Sequence, residues 1–284
     1  MPRTESPLRY PGGKTKLYNL IKPIISQNIF GNNKTYIEPF AGGSGLALKL
    51  LHNGDVDRLV LNDIDYCIYC FWDACLHNAD EICSLIEDSK INIDTWNEKR
   101  EIYKQPEEHS CLEVGFATLF MNRCNVSGVI CGGPIGGYNQ TGSYKLDARF
   151  NKDELIRKIL RIYKNRDYIK FYNEDAKNFI QNLPLDCRYN ETILNIDPPY
   201  VKKGPLLYKN SFSIDDHSEL AQIIQAVEYK WIVTYDECDT IYNLYSNFRK
   251  EIITLKYSVG HSRSGRELMI YSDDIELKNF QICF

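Results

Sequence analysis

Asp197-Pro198-Pro199-Tyr200 places four residues in a row whose types suit the handling of a planar amino group. A carboxylate and a carbonyl, each accepting one N–H, draw such an amine toward tetrahedral geometry and release its lone pair from the ring. Asp197 supplies the carboxylate, and Pro198 offers a stiff carbonyl from a residue without an N–H. Tyr200 adds a flat ring on which a heterocycle can stack. The chemistry this permits is attack by a weakly nucleophilic aromatic amine on an activated carbon, with positioning as the protein's main contribution. A proline-stiffened strand exit is the purely structural account of the same four residues.

A second constellation lies upstream. Glu38-Pro39-Phe40-Ala41-Gly42-Gly43-Ser44-Gly45 follows a strand-like run and opens a helical pattern. Glycines there permit a tight turn and close backbone approach to a ligand, beside the positive end of a helix dipole. The spacing differs from the G-x-G-x-x-G of pyrophosphate-binding turns. It suits S-adenosylmethionine (AdoMet), which has no pyrophosphate. The next strand-like run ends in Asn62-Asp63, where an acid is placed to accept hydrogen bonds from ribose hydroxyls. An N-cap is the alternative role for Asp63.

The elements that must carry these motifs are legible from periodicity. Strand-like runs fall at Thr35–Phe40, Arg58–Asn62, Tyr168–Tyr172, Thr192–Ile196, Trp231–Tyr235, Glu251–Ser258 and Glu267–Tyr271. Helical patterns lie at Lys16–Ser26, Leu46–His52, Ala176–Leu183, Asp215–Glu228 and Thr240–Phe248. The alternation predicts an α/β fold with a doubly wound, mainly parallel sheet. The last two strand-like runs are close enough for an antiparallel hairpin at the sheet edge. Residues 67–166 break the alternation with helical patterns at Asp73–Ser89, Asp94–Tyr103, Cys111–Arg123 and Lys152–Tyr163. Between them the stretch Gly128–Gly142 holds six glycines and one proline. It reads as an irregular loop or hairpin within a helical insertion, a common site of function.

Bulk properties narrow the classes. The chain has 284 residues, 43% of them apolar, enough for one large core or a core domain with an insert. The net charge of −4 excludes wholesale attraction to polyanions but not a local basic cleft. Residues 1–34 carry six Lys/Arg against Glu5, and residues 145–170 carry nine against four acids. Residues 51–113 carry fifteen acids against five bases. No run of about 18 apolar residues suggests a membrane span, and no apolar leader is visible, so a cytoplasmic protein is expected. The ten cysteines are scattered, several in apolar stretches (Cys67, Cys70, Cys75, Cys83, Cys187, Cys283), which predicts free buried thiols. Cys67 and Cys70 lack a second ligand pair at zinc spacing, so no metal is expected.

Taken together, these motifs resemble those of the Dam-like (D12 class) DNA adenine-N6 methyltransferases, over nearly the whole chain. Leu8-Arg9-Tyr10-Pro11-Gly12-Gly13-Lys14 is similar to the family's N-terminal motif, Glu38–Gly45 to its AdoMet motif, Asn62-Asp63 to its ribose-binding acid and Phe171-Tyr172-Asn173-Glu174-Asp175 to its adenine-binding segment. Asp197–Tyr200 matches the catalytic motif, and Asn210-Ser211-Phe212 and His261–Leu268 resemble later landmarks.

The resemblance implies a seven-stranded Rossmann-like AdoMet-dependent methyltransferase sheet, formed by 1–66 plus 167–284. It implies that 67–166 is an inserted, mainly helical target recognition domain containing a β-hairpin. Catalytic residues are then Asp197, Pro198 and Tyr200. AdoMet is met by Tyr10, Lys14, Glu38, Phe40, Gly42, Gly43, Asp63, Asp175 and Asp197. DNA is met by Arg9, Asn122, Arg123, Val126, Ser127, Lys202 and Lys203. The implied substrate is double-stranded DNA with its target adenine flipped out, and a cognate restriction endonuclease or other defence component is a candidate partner. Cys131 stands where GATC-reading members carry an arginine, so GATC reading is not implied. Cytosine N4 and RNA amines could use the same chemistry, although the motif order favours adenine; a non-catalytic DNA-binding module is the third reading.

Overall fold

The computed structural model describes residues 4–9, 13–130, 132–184, 186–201, 212–257 and 263–277. Seven strands form one sheet: β1 (Thr35–Glu38), β2 (Arg58–Asn62), β3 (Ile169–Tyr172), β4 (Thr192–Ile196), β5 (Lys230–Asp236), β6 (Lys250–Tyr257) and β7 (Arg263–Tyr271). Their order is β3-β2-β1-β4-β5-β7-β6. The first five are mutually parallel, with Ile37 of β1 registered on Val60 of β2 and on Leu194 of β4. β7 runs antiparallel to both β5 and β6, which completes the expected edge hairpin. β7 begins at Arg263, earlier than its apolar pattern predicts, because Tyr257 and Arg263 already pair. Every residue of β1, β4 and β5 is buried, as expected of central strands covered on both faces. The winding reverses between β1 and β4, and at such a switch point the carboxyl ends of the strands leave a crevice for ligands.

Helices cover the sheet: α1 (Tyr18–Asn28), α2 (Gly45–His52), α3 (Tyr66–His77), α4 (Ala79–Asp88), α5 (Ile93–Lys104), α6 (Cys111–Cys124), α7 (Lys152–Lys164), α8 (Ala176–Gln181), α9 (Ile214–Ala226) and α10 (Asp239–Leu244). The single helical pattern expected over Asp73–Ser89 is two helices. Asn78, with φ −128°, ends α3 and starts α4, whose own apolar face then turns independently. Helix α6 opens with a Ser110–Glu113 capping box, and all its residues from Val114 to Cys124 are buried. Gly115 allows it to lie directly on α3: a Cβ there would meet the Cys70 carbonyl at 2.4 Å. The inserted helices and the sheet share a core that includes Leu48, Leu59, Phe71, Phe120 and Ile159. The other sheet face packs Ile37, Leu194 and Val233 against Phe179, Leu220 and Ile241.

The expected β-hairpin of the insertion is replaced by turns. Among the described residues of 125–145 only an isolated antiparallel bridge, Asn125 to Pro134, is present. Positive φ at Ser127, Gly128, Gly136, Gly137 and Gln140 keeps this backbone from running extended, and Pro134 has no N–H for a ladder. The described cysteines are free, and all but Cys111 are buried. No helix of the described residues is long and apolar enough to cross a membrane, and no His/Cys/Asp/Glu cluster among them could hold a metal.

Gly115→Ala is expected to destabilise the fold by about 1–3 kcal/mol, because the added methyl meets backbone in a close-packed interface. A melting temperature equal to that of the unmodified protein would show that α3 and α6 do not lie this close.

Candidate active site

The glycine turn is built from both ends. Glu38 closes β1 and is buried; its carboxylate accepts from Tyr36 Oη at 3.0 Å and Ser44 Oγ at 2.9 Å. Burial pushes this carboxyl up to about 7, against those two hydrogen bonds. Gly42 has φ +47° and Ser44 φ +42°, so the chain reverses sharply before α2. Gly45 answers a different need. A Cβ there would sit 2.5 Å from Thr15 Oγ1 and 2.6 Å from Thr4 Oγ1, so its absence lets the N-terminal segment lie on the turn.

Asp63 reaches across from the end of β2. Its Oδ2 accepts the Gly42 N–H at 2.8 Å and its Oδ1 the Asp65 N–H at 3.0 Å. Burial outweighs these bonds and raises Asp63 to about 6. Asn62, fully buried, ties three strand ends together: Nδ2 donates to the Pro39 and Glu174 carbonyls, and Oδ1 accepts the Glu174 N–H. Trp72 of α3 donates to the Gly42 carbonyl at 2.9 Å and stacks on Phe171 at 5.3 Å. Asp175 caps α8 through Oδ1, which accepts from Lys177 and Asn178 N–H groups. Phe40 stands edge-on to Phe212 at 5.9 Å. An acid at the second strand end, a glycine turn and an aromatic-lined third strand end together fit the ribose and adenine of AdoMet.

Across the switch point, β4 delivers Asp197. Its Oδ1 is claimed twice, by Thr234 Oγ1 of β5 at 2.7 Å and by Lys14 Nζ at 3.1 Å. Among the described residues no donor contacts Oδ2. Pro198 is buried. Tyr200 is also buried; its hydroxyl accepts from Lys14 at 2.5 Å, and Lys14 Nζ lies 4.9 Å from its ring centroid. Lys14 therefore bridges the N-terminal segment to the Asp197–Tyr200 turn, and a second acid, Glu267 of β7, lies 3.4 Å from the same Nζ.

Arg9 and its neighbours form a separate group. Asn122 Oδ1 accepts the Arg9 N–H at 2.7 Å, while Nδ2 donates to the Arg9 and Gly128 carbonyls. Arg123 donates to the Pro7 carbonyl at 2.6 Å. Both side chains are buried, so Asn122 and Arg123, expected as DNA contacts, are spent on backbone; they can affect DNA only through the segments they hold. Gly128 has φ +76°, and a Cβ on it would collide with the Arg9 carbonyl at 2.2 Å. Val126, 55% exposed, and Ser127 stand out beside Arg9 on a cavity of about 460 Å³. Ile135, Tyr144 and Arg149 line its other side. Among the described residues, the buried Arg9 Nη1 has no hydrogen-bond partner. Tyr10, Lys202 and Lys203 lie outside the described residues, as do Asn210, Ser211, His261 and Ser262.

Thr234, Trp72 and Glu267 had no assigned role in the sequence reading. Thr234 and Trp72 sit in apolar runs without a motif; Glu267 was visible only as one letter in a C-terminal landmark.

A sheet of this order, with a braced glycine turn on one side of the switch point and a carboxylate–proline turn on the other, defines an AdoMet-dependent methyltransferase acting on an amine. The D12 class N6 adenine-specific DNA methyltransferase family matches residues 10–259, and the chain belongs to it. It is a site-specific DNA methyltransferase that moves the methyl group of AdoMet to the N6 amine of adenine. A curated relative, the type II methyltransferase M.MjaIII of Methanocaldococcus jannaschii, is 24% identical over 238 residues, covering 78% of this chain and 79% of the relative. Among solved structures, the rRNA methyltransferase aviRa of Streptomyces viridochromogenes superposes with a TM-score of 0.43 at 11% identity, covering 94% of this chain and 88% of that one. A precorrin-6y C5,15-methyltransferase of Geobacter metallireducens superposes with a TM-score of 0.39 at 9% identity, covering 92% of each chain.

Asp63→Asn is expected to weaken AdoMet binding by about 10- to 100-fold, the range for a hydrogen bond to a charged group. In the unmodified protein AdoMet affinity should fall as pH drops through about 6, where Asp63 takes up its proton beside Asp65. Calorimetric titration of both proteins from pH 5 to 8 checks this: the step near 6 is expected to vanish in the variant, and its persistence would assign it elsewhere.

Proposed function

We propose that transfer takes place at the β1/β4 crevice on an adenine turned out of duplex DNA. The observation that carries this reading is the division of labour on Asp197: Oδ1 is held from inside by Thr234 and Lys14, and among the described residues Oδ2 meets no donor. A carboxylate fixed in this way can accept one N6 hydrogen without turning away, while the Pro198 carbonyl accepts the other. Inside a helix the N6 edge is out of reach of a crevice this deep, so the base must leave the stack. AdoMet, when bound, supplies an electrophilic methyl carbon on sulfur. With AdoMet bound as methyl donor, Asp197 and the Pro198 carbonyl would hold N6 for attack on the methyl carbon, the thioether would leave, and Asp197 would take the surplus N6 proton and pass it to water. Asp197 thus belongs to both the catalytic and the cofactor-facing sets, with Tyr200 holding Lys14 in place. Gly42, Gly43, Asp63, Asp175, Glu38, Phe40 and Lys14 form the cofactor side, and Tyr10 is assigned there by motif.

Residues 67–166 serve as the recognition domain in this reading, with α3 doubling as a wall of the cofactor site through Trp72. The basic Arg9 and Arg149 and the projecting Val126 and Ser127 line one groove, which suits a phosphate backbone with a wedge beside it. Lys202 and Lys203, next to Tyr200 in sequence, are assigned to DNA by motif alone. A cognate restriction endonuclease or other defence component is the candidate partner, in keeping with the type II designation of the relative; the protein would act in the cytoplasm of a bacterium or come from a phage gene.

Asp197→Ala is expected to lower transfer by at least about 10³-fold, because the carboxylate acceptor for the amine is lost, while AdoMet binding persists. Nucleoside mass spectrometry of DNA from a methylation-free host expressing the protein should show N6-methyladenine, and long-read sequencing should give its sequence context. Methyl on cytosine N4 with none on adenine would overturn the reading. Arg9→Ala should weaken DNA binding and reduce its salt dependence without changing AdoMet affinity; a salt slope equal to that of the unmodified protein would place Arg9 away from DNA.

A further inference from the structure

Glu267 stands apart from the residues that the mechanism uses. It lies on β7, opposite Asp236 of β5, and its side chain is fully buried. Lys14 Nζ is 3.4 Å from its Oε2. Neither of its oxygens meets a donor at full hydrogen-bond geometry; Lys14 and the Tyr200 hydroxyl face it at looser range. A carboxylate buried with so few hydrogen bonds costs stability.

The charges around it suggest a role. Lys14 alone against Asp197 would make a neutral pair, and a fully neutralised carboxylate is a weaker acceptor. With Glu267 sharing the same ammonium, one cation serves two anions. The cluster of Asp197, Glu267 and Lys14 then carries a net single negative charge. Methyl transfer to a neutral amine moves positive charge from sulfur to N6, that is, toward this cluster. A fixed negative charge where positive charge arrives lowers the barrier, and in a dry pocket its effect is large.

We propose that Glu267 is a positioning residue of the transfer reaction, which shares Lys14 with Asp197 so that the pocket keeps a net negative charge behind the N6 atom and Asp197 keeps its Oδ2 as a strong acceptor. It touches neither DNA nor AdoMet and acts through Lys14, Asp197 and Tyr200. Burial pushes the Glu267 carboxyl up, as does the Asp197 charge, while Lys14 and Tyr200 oppose both. Two further acids lie near the cluster: Glu38, which the charges of Lys14 and Asp197 also reach, and the buried Asp236, which pairs opposite Glu267 and accepts the Val201 N–H. The inference rests on the assignment of Asp197 as the acceptor for N6.

The test is single-turnover methyl transfer to duplex DNA carrying the recognition sequence, with AdoMet and DNA affinities measured alongside. Glu267→Gln keeps the shape and removes the charge. It is expected to slow the single-turnover rate by about 10- to 100-fold, with both affinities within about threefold of the parent's and the melting temperature equal or higher. Glu267→Asp, which restores the charge, should recover part of the rate. A Glu267→Gln protein with the parent's rate overturns the inference, as does a loss explained by weaker binding of either substrate. Should Glu267→Gln not fold by itself, Lys14→Met is compared with Lys14→Met/Glu267→Gln. Removing the second carboxylate should restore activity relative to Lys14→Met, which leaves two acids facing each other; a double variant no faster than Lys14→Met overturns the inference. An active parent protein with unaffected Glu267 variants sinks this inference alone, whereas loss of the Asp197 assignment would show as a fully active Asp197→Ala.

Discussion

A buried ammonium holds the active site together. Lys14 is the point at which the N-terminal segment, the end of β4 and the edge hairpin meet, through Tyr200, Asp197 and Glu267. An ammonium taken out of water needs charged partners within a few ångströms, and two carboxylates satisfy it. The segment that carries it must therefore lie over the sheet, and Gly45 makes the space by having no side chain. The glycine turn and the Asp197–Tyr200 turn are adjacent because β1 and β4 are adjacent, and the charge of Lys14 couples them. The charge of Lys14 reaches Glu38 on one side and Asp197 and Glu267 on the other.

The second organising element is α6. Its buried polar residues face the same N-terminal segment, with Asn122 gripping the Arg9 backbone and Arg123 the Pro7 carbonyl. One helix of the insertion thereby fixes where Arg9 and the Val126–Gly128 turn stand relative to the crevice. The N-terminal residues link the insertion to the chemistry: Arg9 lies against the groove and Lys14 in the pocket, five positions apart in sequence. A change at Asn122 would be felt at Arg9 and Gly128 together, since a single amide serves both.

Much of this was legible before any coordinates. The period-2 and period-3.6 patterns located the strands within a residue or two at most ends, because central strands are continuous apolar runs with polar exits. The motif residues at strand ends, Glu38, Asp63 and Asp197, all lie at the carboxyl edge of the sheet. The insertion was harder. Its helices are buried by one another, so α6 shows almost no amphipathic contrast, and the pattern over Asp73–Ser89 hid the break at Asn78. The glycine-rich stretch suggested a hairpin, but positive φ at five positions turned it into a string of tight turns.

The sequence by itself determined the chemistry on offer, the order of the elements and the family, because each depends on local residue types and their spacing. Tertiary structure alone decided which residues share a charge. Lys14, Asp197, Thr234 and Glu267 are far apart in the chain, and only the antiparallel return of β7 beside β5 places Glu267 near the Asp197–Tyr200 turn. It also decided that Asn122 and Arg123 are structural, since burial depends on what packs around a helix and not on the helix's own letters. Electrostatic coupling falls off with distance in space, so no reading along the chain could assign it.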